Sequence, residues 1–277
     1  MTMTDVPGHV IYYVALLVAV SVGWFVLVGL ARRGHGVMLR ERLDPAMSAI
    51  RAWLFRAPAT SVYLAIITVT SVLQQTTADK DVQTAVEANS TNIRGMIEGP
   101  GRVLFGSAFL VAGLSVGYLL YVLGFLLVTA RLEHRIGSAR TLVVAVSSHV
   151  LATLVTVVVI WVGIHFGWLP AGTSVASDVG VSYVLVGTMA GYILLASTRG
   201  RIVLVLVLIT ALVAVPVASG PTIWDLGHAA AAMTGLAVTA IALRAGGLRP
   251  ALSWRELLAR PARPLAQLTT AEHHGVD

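Results

Sequence analysis

The sequence contains no cysteine and only one lysine, Lys80. The absence of cysteine excludes disulfides, thiolate metal sites and a cysteine nucleophile. Charged residues make up only 12% of the 277 residues, whereas 57% are hydrophobic. A soluble domain of this length would carry roughly twice that share of charge. The composition therefore predicts an all-α polytopic membrane protein with its helices in one bundle.

Seven hydrophobic runs are long enough, or nearly so, to cross a ~30 Å hydrocarbon core at ~1.5 Å per helical residue. They lie at 9–30, 57–74, 103–130, 141–166, 179–197, 201–218 and 222–243. The first run has neither a basic segment before it nor a small-residue cleavage site after it. We therefore expect a retained helix there rather than a signal peptide, followed by a core of six helices.

The distribution of arginine predicts the orientation of these spans. The strongly basic segments are 31–56, 131–140, 199–201 and 244–263, whereas the loops 163–178 and 219–224 contain no lysine or arginine. Basic loops stay on the cytoplasmic side of a membrane, so we expect the N-terminus outside and the C-terminus in the cytoplasm. The formal charge of +6 would suggest nucleic acid in a soluble protein, but in a membrane protein the location of the arginines matters more. We therefore expect the lipid bilayer as a partner and no binding of nucleic acid.

Eighteen arginines against one lysine, with abundant alanine and valine, are typical of a GC-rich bacterial genome. We therefore expect a multi-pass protein of the bacterial plasma membrane. Its predicted organisation is an N-terminal transmembrane helix with a basic cytoplasmic linker (1–56), a six-helix membrane core (57–245) and a cytoplasmic tail (246–277).

Two polar residues, Ser182 and His228, lie inside predicted spans. An ionisable group in hydrocarbon is costly unless it is paired or faces a wet cavity, so an intramembrane histidine is a candidate functional residue. Counting ~1.5 Å per residue from the outer ends of their spans puts Ser182 ~5–8 Å deep and His228 ~9 Å deep. Because these depths agree, the two form a candidate nucleophile and general base for acyl transfer.

His149 lies in the fourth predicted span, which runs in the opposite direction. The same count puts it ~20 Å from the outer edge, out of reach of Ser182. We therefore predict that His149 is a buried structural hydrogen-bonding residue, with Ser147 or Ser148 as a candidate partner.

Asp178 and Asp225 flank the pair at the outer ends of the fifth and seventh spans. A carboxylate near a helix N-terminus offsets the positive end of the helix dipole, so we predict a capping role for both residues. For Asp225, which precedes His228 by three residues, the alternative of orienting the imidazole remains open.

Small residues at helical spacing let transmembrane backbones approach closely. Such faces occur on the fifth span, at Gly180, Val184, Gly187 and Gly191, and on the seventh, at His228, Ala231 and Gly235. We therefore expect these two helices to pack tightly beside the Ser182 and His228 pair.

Three motifs, taken together, resemble those of the rhomboid family of intramembrane serine proteases. The sequence Glu133-His134-Arg135-Ile136-Gly137-Ser138 resembles the family signature Glu-x-Arg-hydrophobic-Gly-Ser. Gly180-Val181-Ser182 is similar to the start of the family's Gly-x-Ser-Gly motif, and His228 with Gly235 is similar to its histidine helix. The resemblance covers 55–245 and includes the number, orientation and order of the spans.

The resemblance implies a divergent rhomboid-like protein that cleaves transmembrane substrates without a cofactor or metal. Ser182 would attack a peptide bond near the outer membrane surface, and His228 would serve as the general base. Glu133 and Arg135 would stabilise the cytoplasmic end of the bundle through polar contacts. The sequence does not indicate an oligomeric state.

Several positions depart from the family pattern. The glycine after the serine is Tyr183, and the tyrosine expected beneath the histidine is Val186. Active members of the family stabilise the oxyanion with a His and an Asn on the second core helix, and the corresponding positions here hold Gly117 and Tyr121. A register shift would instead make Tyr121 or Tyr183 a donor. Because losing one oxyanion donor costs ~10²–10³ in rate, an inactive relative that binds transmembrane clients is the alternative.

A small-molecule transporter is less favoured, since no inverted repeat is seen and only Pro216 interrupts a span deeply.

Overall fold

The computed structural model describes residues 37–246 except 78, 112–115, 177 and 221, together with 26, 29–30, 33 and 34. Most of the predicted span at 9–30 and nearly all of the predicted tail at 246–277 lie outside these residues. Within them the chain is helical, apart from turns and short connections, and contains no strand. The molecule is an all-α polytopic membrane protein, as its composition predicts.

Helix α1 (Val37–Arg56) and helix α2 (Pro58–Thr76) meet at an angle of 97°. The bend lies at Ala57, whose backbone is not helical (φ −129°, ψ 60°). Proline at the start of α2 explains this geometry, because it disfavours the helical conformation in the residue before it. The expected linker at 31–56 thus contains a twenty-residue helix.

The connection after α2 is a helical cap rather than an open loop. It comprises α3 (Asp79–Asn89), α4 (Ile93–Glu98), α5 (Pro100–Gly106) and a 3₁₀ turn (Ser107–Phe109). Asn92 begins α4 by accepting a hydrogen bond from the Gly95 N–H at 2.7 Å. The backbone is extended at Leu110 (φ −95°, ψ 130°), which ends this helical stretch. The predicted span at 103–130 therefore begins too early in the sequence, since the described part of the next long helix begins at Val116.

The next helix, α6, is continuous but contains a π-helical turn. It consists of Val116–Gly124, the π turn Phe125–Thr129 and Ala130–Ile136. Gly137 then separates α6 from α7 (Ser138–His165) with φ +82°, a left-handed conformation that favours glycine.

The remaining core helices differ in length. They are α8 (Val181–Ile193), α9 (Thr198–Ser219) and α10 (Ile223–Ala245). Within the described residues, α7, α9 and α10 are long and apolar enough to cross a membrane individually. With α2, α6 and α8 they form the six-helix core.

Helix α8 has thirteen residues and begins inside the bundle. The chain before it enters in a non-helical conformation, held by two backbone hydrogen bonds from the cap. Thr91 N donates to Asp178 O at 3.1 Å, and Gly180 N donates to Ser107 O at 2.9 Å. The predicted span at 179–197 is therefore only partly helical, because its outer end is anchored to the cap.

Helices α8 and α10 cross where both carry glycine. A Cβ on Gly235 would overlap the Gly187 carbonyl, and a Cβ on Gly191 would overlap the Thr239 hydroxyl. A Cβ on Gly187 would in turn overlap Ser148 of α7. The small-residue faces predicted from the sequence thus form the central contacts of the bundle.

The buried carboxylate of Glu133 joins α2 to α6. It accepts hydrogen bonds from Ala59 N at 2.8 Å, from Thr60 N at 2.8 Å and from the Thr60 hydroxyl at 2.7 Å. The Ser138 hydroxyl donates to the same carboxylate at 2.6 Å. These bonds satisfy the free N–H groups at the start of α2 and place a negative charge at its positive end. The role predicted for Glu133 is structural, and its contacts agree with that prediction.

A candidate serine–histidine catalytic site

Ser182 is half-buried in the first turn of α8. Gly180 forms the N-cap of that helix and provides no side-chain capping bond. The first N–H groups of a helix have no carbonyl four residues earlier to bind, and they form its positive end. The local chain therefore presents the serine hydroxyl beside backbone donors.

His228 lies in the second turn of α10 with its ring directed at the serine. Its Nε2 is 2.9 Å from Ser182 Oγ. With its proton on the other ring nitrogen, the imidazole leaves Nε2 as an acceptor for the Ser182 hydroxyl. The structure thus joins the two predicted site residues in the geometry of a nucleophile and its base.

Tyr183 does not separate the pair, although it occupies the position of the family glycine. The side chain is fully buried, and its ring lies edge-on to His228 with centroids 5.0 Å apart. Gly227 provides the necessary space, because a Cβ there would overlap the Tyr183 hydroxyl. The glycine that precedes His228 is visible in the sequence. Its role of making room could not be predicted, because it depends on Tyr183, which lies on another helix.

Asp178 does not cap α8. Its carboxylate accepts a hydrogen bond from the Tyr183 hydroxyl at 2.7 Å, while the Thr156 hydroxyl lies 3.4 Å from the same phenol oxygen. The capping role predicted for Asp178 is wrong because Gly180 takes the N-cap position and no side chain caps the helix. Asp178 instead holds Tyr183, whose ring supports the histidine.

Asp225 caps α10, as predicted. Its carboxylate accepts hydrogen bonds from Thr222 N at 2.6 Å and from the Thr222 hydroxyl at 2.9 Å, as part of a capping box. No hydrogen bond joins it to His228 within the described part of the chain. The neighbour that packs against the imidazole is the Tyr183 ring, so the hydrogen-bonded arrangement is a dyad of Ser182 and His228.

His149 lies much nearer to the candidate site than predicted. A Cβ on Gly180 would overlap its ring, and its ring centroid is 6.4 Å from that of Tyr183. The predicted separation of His149 from the start of α8 is wrong, because Gly180 at that start lies against the His149 ring.

The contacts of His149 are those of a structural residue. Its Nε2 lies 3.0 Å from the Leu104 carbonyl and 3.2 Å from the Ser107 hydroxyl, which links α7 to the cap. The hydrogen-bonding partner is therefore Ser107 and not Ser147 or Ser148. Ser107 also accepts the Gly180 N–H through its carbonyl, so His149 supports the segment that leads to Ser182.

The family model for rhomboid-like proteins matches residues 52–247. The chain belongs to the rhomboid-like family. The match contains every core helix from α2 to α10, together with Glu133, Ser182 and His228, and confirms the predicted family. A comparison with curated proteins gives no significant match. The family includes inactive members, so membership alone does not establish a reaction.

In this rhomboid-like protein, the family resemblance puts Gly117 and Tyr121 of α6 at the positions of the two side-chain oxyanion donors. Tyr121 is half-buried, and its ring packs against the cluster that contains Val181 and Val184 of α8. A role of Tyr121 as an oxyanion donor stays a prediction. Gly117 offers no side-chain donor.

Among residues 37–246, with the gaps given above, no three His, Asp or Glu side chains cluster closely enough to bind a metal ion. The expectation of a reaction without metal or cofactor stays a prediction.

Proposed function

We propose that this rhomboid-like protein is an intramembrane serine endopeptidase that cleaves transmembrane substrates with a Ser182/His228 dyad. The 2.9 Å separation of Ser182 Oγ and His228 Nε2 is the observation that carries the proposal. A nucleophile and base within hydrogen-bonding reach, with the base held by a third group, is the arrangement required for covalent acyl transfer. Here the ring of Tyr183 packs edge-on against the histidine and holds it in place.

In the proposed reaction His228 removes the Ser182 proton as Oγ attacks the scissile carbonyl. The imidazolium then donates that proton to the leaving amine, and an acyl-enzyme remains. A water molecule, activated by the same histidine, hydrolyses the ester and restores the serine. Ser182 and His228 are each half-buried rather than enclosed, as attack by water requires.

The proposed location is the bacterial plasma membrane. The arginine-rich ends of α6, α9 and α10 would face the cytoplasm, and the cap with the dyad would face outward. In this orientation the N-terminus is outside and the C-terminus is cytoplasmic. The dyad would then meet substrates near the outer surface.

Labelling with a fluorophosphonate probe tests the reaction. The purified protein should be labelled, and Ser182→Ala and His228→Ala should abolish labelling because they remove the nucleophile and its base. Ser148→Ala is the matched control, because this serine is buried on the neighbouring α7 and is not part of the dyad. Equal labelling of the wild type and Ser182→Ala would overturn the proposal.

The second candidate is a non-enzymatic protein that binds transmembrane clients. It is favoured by Gly117, which lacks a donor, and by the existence of inactive family members. Under this alternative, Ser182→Ala would complement a deletion strain as fully as the wild type does. Gly235→Leu, which separates α8 from α10, would fail to complement. If Ser182→Ala failed to complement, client binding could not be the only function of the protein.

A further inference from the structure

Helix α1 carries large apolar residues along one side and arginines beside them. The apolar residues recur every three or four positions, which places them on one face of the helix, and we call them the apolar stripe: Leu39, Leu43, Met47, Ile50 and Leu54. At 3.6 residues per turn, Arg40 and Arg51 border the apolar stripe on one side, and Arg42 borders it on the other. The acidic Glu41 lies on the opposite face. Helix α1 is therefore amphipathic, with basic edges.

The apolar stripe is not covered by the rest of the described chain. No residue of α1 is buried. The exposed fraction is 54% for Leu39 and 55% for Ile50. An apolar face of this kind marks a surface that binds a protein or a membrane.

The apolar stripe faces the inner angle between α1 and α2. This angle contains an open cleft of about 880 Å³, lined by Met47, Ile50 and Leu54 of the apolar stripe, by Arg51 and by Val62 of α2. Because α2 is a core helix and meets α1 at 97°, α1 lies nearly parallel to the membrane surface. The inner angle is the side on which α2 enters the membrane, so the apolar stripe faces the hydrocarbon.

Contacts with α6 hold α1 at the arginine-rich end of the bundle. The Trp53 ring lies edge-on to that of His134, with centroids 5.6 Å apart, and the Trp53 carbonyl oxygen lies 3.4 Å from His134 Nε2. Arg131 and Arg135 flank this histidine near the end of α6. Tryptophan is enriched at membrane–water interfaces, which agrees with a position of α1 among the lipid headgroups.

The charges beside the cleft favour an anion. The Arg51 guanidinium carbon lies 5.8 Å from the centre of the exposed Phe55 ring. Asp44 also lines the cleft, but its carboxylate is paired with Arg40 at 3.2 Å. Within the described part of the chain, Arg42 and Arg51 form no ion pair. The remaining charge beside the apolar stripe is therefore positive, which complements a phosphate group.

We propose that α1 is an interfacial helix that binds anionic phospholipids, with their acyl chains against the apolar stripe and their headgroups at Arg42 and Arg51. An amphipathic helix with basic residues on its polar face binds anionic membranes in this way. In the proposed orientation these lipids belong to the cytoplasmic leaflet. Most of α1 precedes residue 52, where the family match begins, and the proposal does not depend on the Ser182/His228 reaction.

Quenching of a single fluorophore by lipids tests the position of α1, since the chain has no cysteine of its own. The full-length Ile50→Cys variant is labelled with bimane and reconstituted into phosphatidylcholine vesicles that contain phosphatidylglycerol with a nitroxide on its acyl chain. Bimane at position 50 should be quenched strongly. Ala52→Cys is the matched control, because this exposed residue lies on the opposite face and its bimane should be quenched less. Equal or stronger quenching at position 52 would overturn the proposal.

Replacing one arginine tests the preference for anionic lipid. In the Ile50→Cys background, Arg51→Gln should raise the fraction of nitroxide-labelled phosphatidylglycerol needed for half-maximal quenching by about fivefold, the usual effect of one basic residue near an anionic surface. Quenching by nitroxide-labelled phosphatidylcholine should not change. Arg94→Gln is the control, because this exposed arginine lies on the cap, far from α1.

A shift with Arg51→Gln no larger than that with Arg94→Gln would overturn the binding of anionic lipid. If neither lipid quenched bimane at position 50, the apolar stripe would be covered by protein, and the proposal would be wrong.

Discussion

At the residue scale, Tyr183 shows how a departure from the family pattern can be accommodated. Its ring lies against His228, a position for which the family comparison points to the residue occupied here by Val186. Its hydroxyl is held by Asp178, and Gly227 gives the ring room. The bulky Tyr183 side chain thus supports the histidine and does not separate it from Ser182.

The substitution Tyr183→Phe removes the hydroxyl and keeps the ring. Because it leaves the Asp178 carboxylate without its donor, the free energy of unfolding should fall by about 1–3 kcal/mol. The fluorophosphonate labelling rate should change little, since the aromatic contact with His228 remains. Tyr183→Leu removes that contact and should slow labelling more than Tyr183→Phe does. Equal labelling rates for the two variants would show that the ring does not position His228.

The proximity of Ser182 and His228 could be predicted because two polar residues at similar positions in apolar helices have few other partners. Their catalytic role remains a proposal. The direction of the Tyr183 side chain could not be predicted, because it depends on the absence of a side chain at Gly227 on another helix. The level of His149 was misjudged for a different reason, since residue counting assumes that every helix starts at the membrane surface.

At the scale of elements, the crossing of α8 and α10 determines whether the dyad can form. Gly187 and Gly235 bring the two backbones together, and Ser182 and His228 lie toward the start of the same two helices. A Cβ at this crossing meets a carbonyl oxygen, which cannot rotate away as a side chain can. A wider separation of the two helices at this crossing should therefore lengthen the distance between Ser182 and His228.

The substitution Gly235→Ala tests this coupling. The free energy of unfolding should fall by at least the about 1–3 kcal/mol typical of overpacking, and labelling of the remaining folded protein should slow. Gly101→Ala is the control, because Gly101 lies in a helix and a Cβ there meets no atom within 4 Å. A Gly235→Ala variant as stable and as readily labelled as the wild type would contradict the coupling.

Glu133 links α2 to α6 at the opposite end of the bundle from the dyad. Glu133→Gln replaces one accepting oxygen with an NH₂ group that faces backbone donors, so the free energy of unfolding should fall by about 1.5–3 kcal/mol. Labelling per folded molecule should stay unchanged. Glu98→Gln, at an exposed ion pair, should alter stability little. A stability change no larger than that of the control would contradict the structural role of Glu133.

At the scale of the whole molecule, the lack of cysteine makes the proposed orientation directly testable. Ala171→Cys and Ala139→Cys each introduce the sole thiol at an exposed alanine, one in the 3₁₀ turn that follows α7 and the other in the first turn of α7. A membrane-impermeant maleimide should label Ala171→Cys in intact spheroplasts and Ala139→Cys only after permeabilisation. The reverse pattern would invert the proposed topology.

The shortness of α8 has a consequence for the assembly of the protein in the membrane. Thirteen residues extend ~20 Å at ~1.5 Å each, too little for a ~30 Å hydrocarbon core. The helix that carries Ser182 is thus a poor independent insertion unit during synthesis. Its tightest neighbour, α10, leaves the ribosome later. We therefore expect Ser182 to reach its final depth only when α10 docks and brings His228 with it.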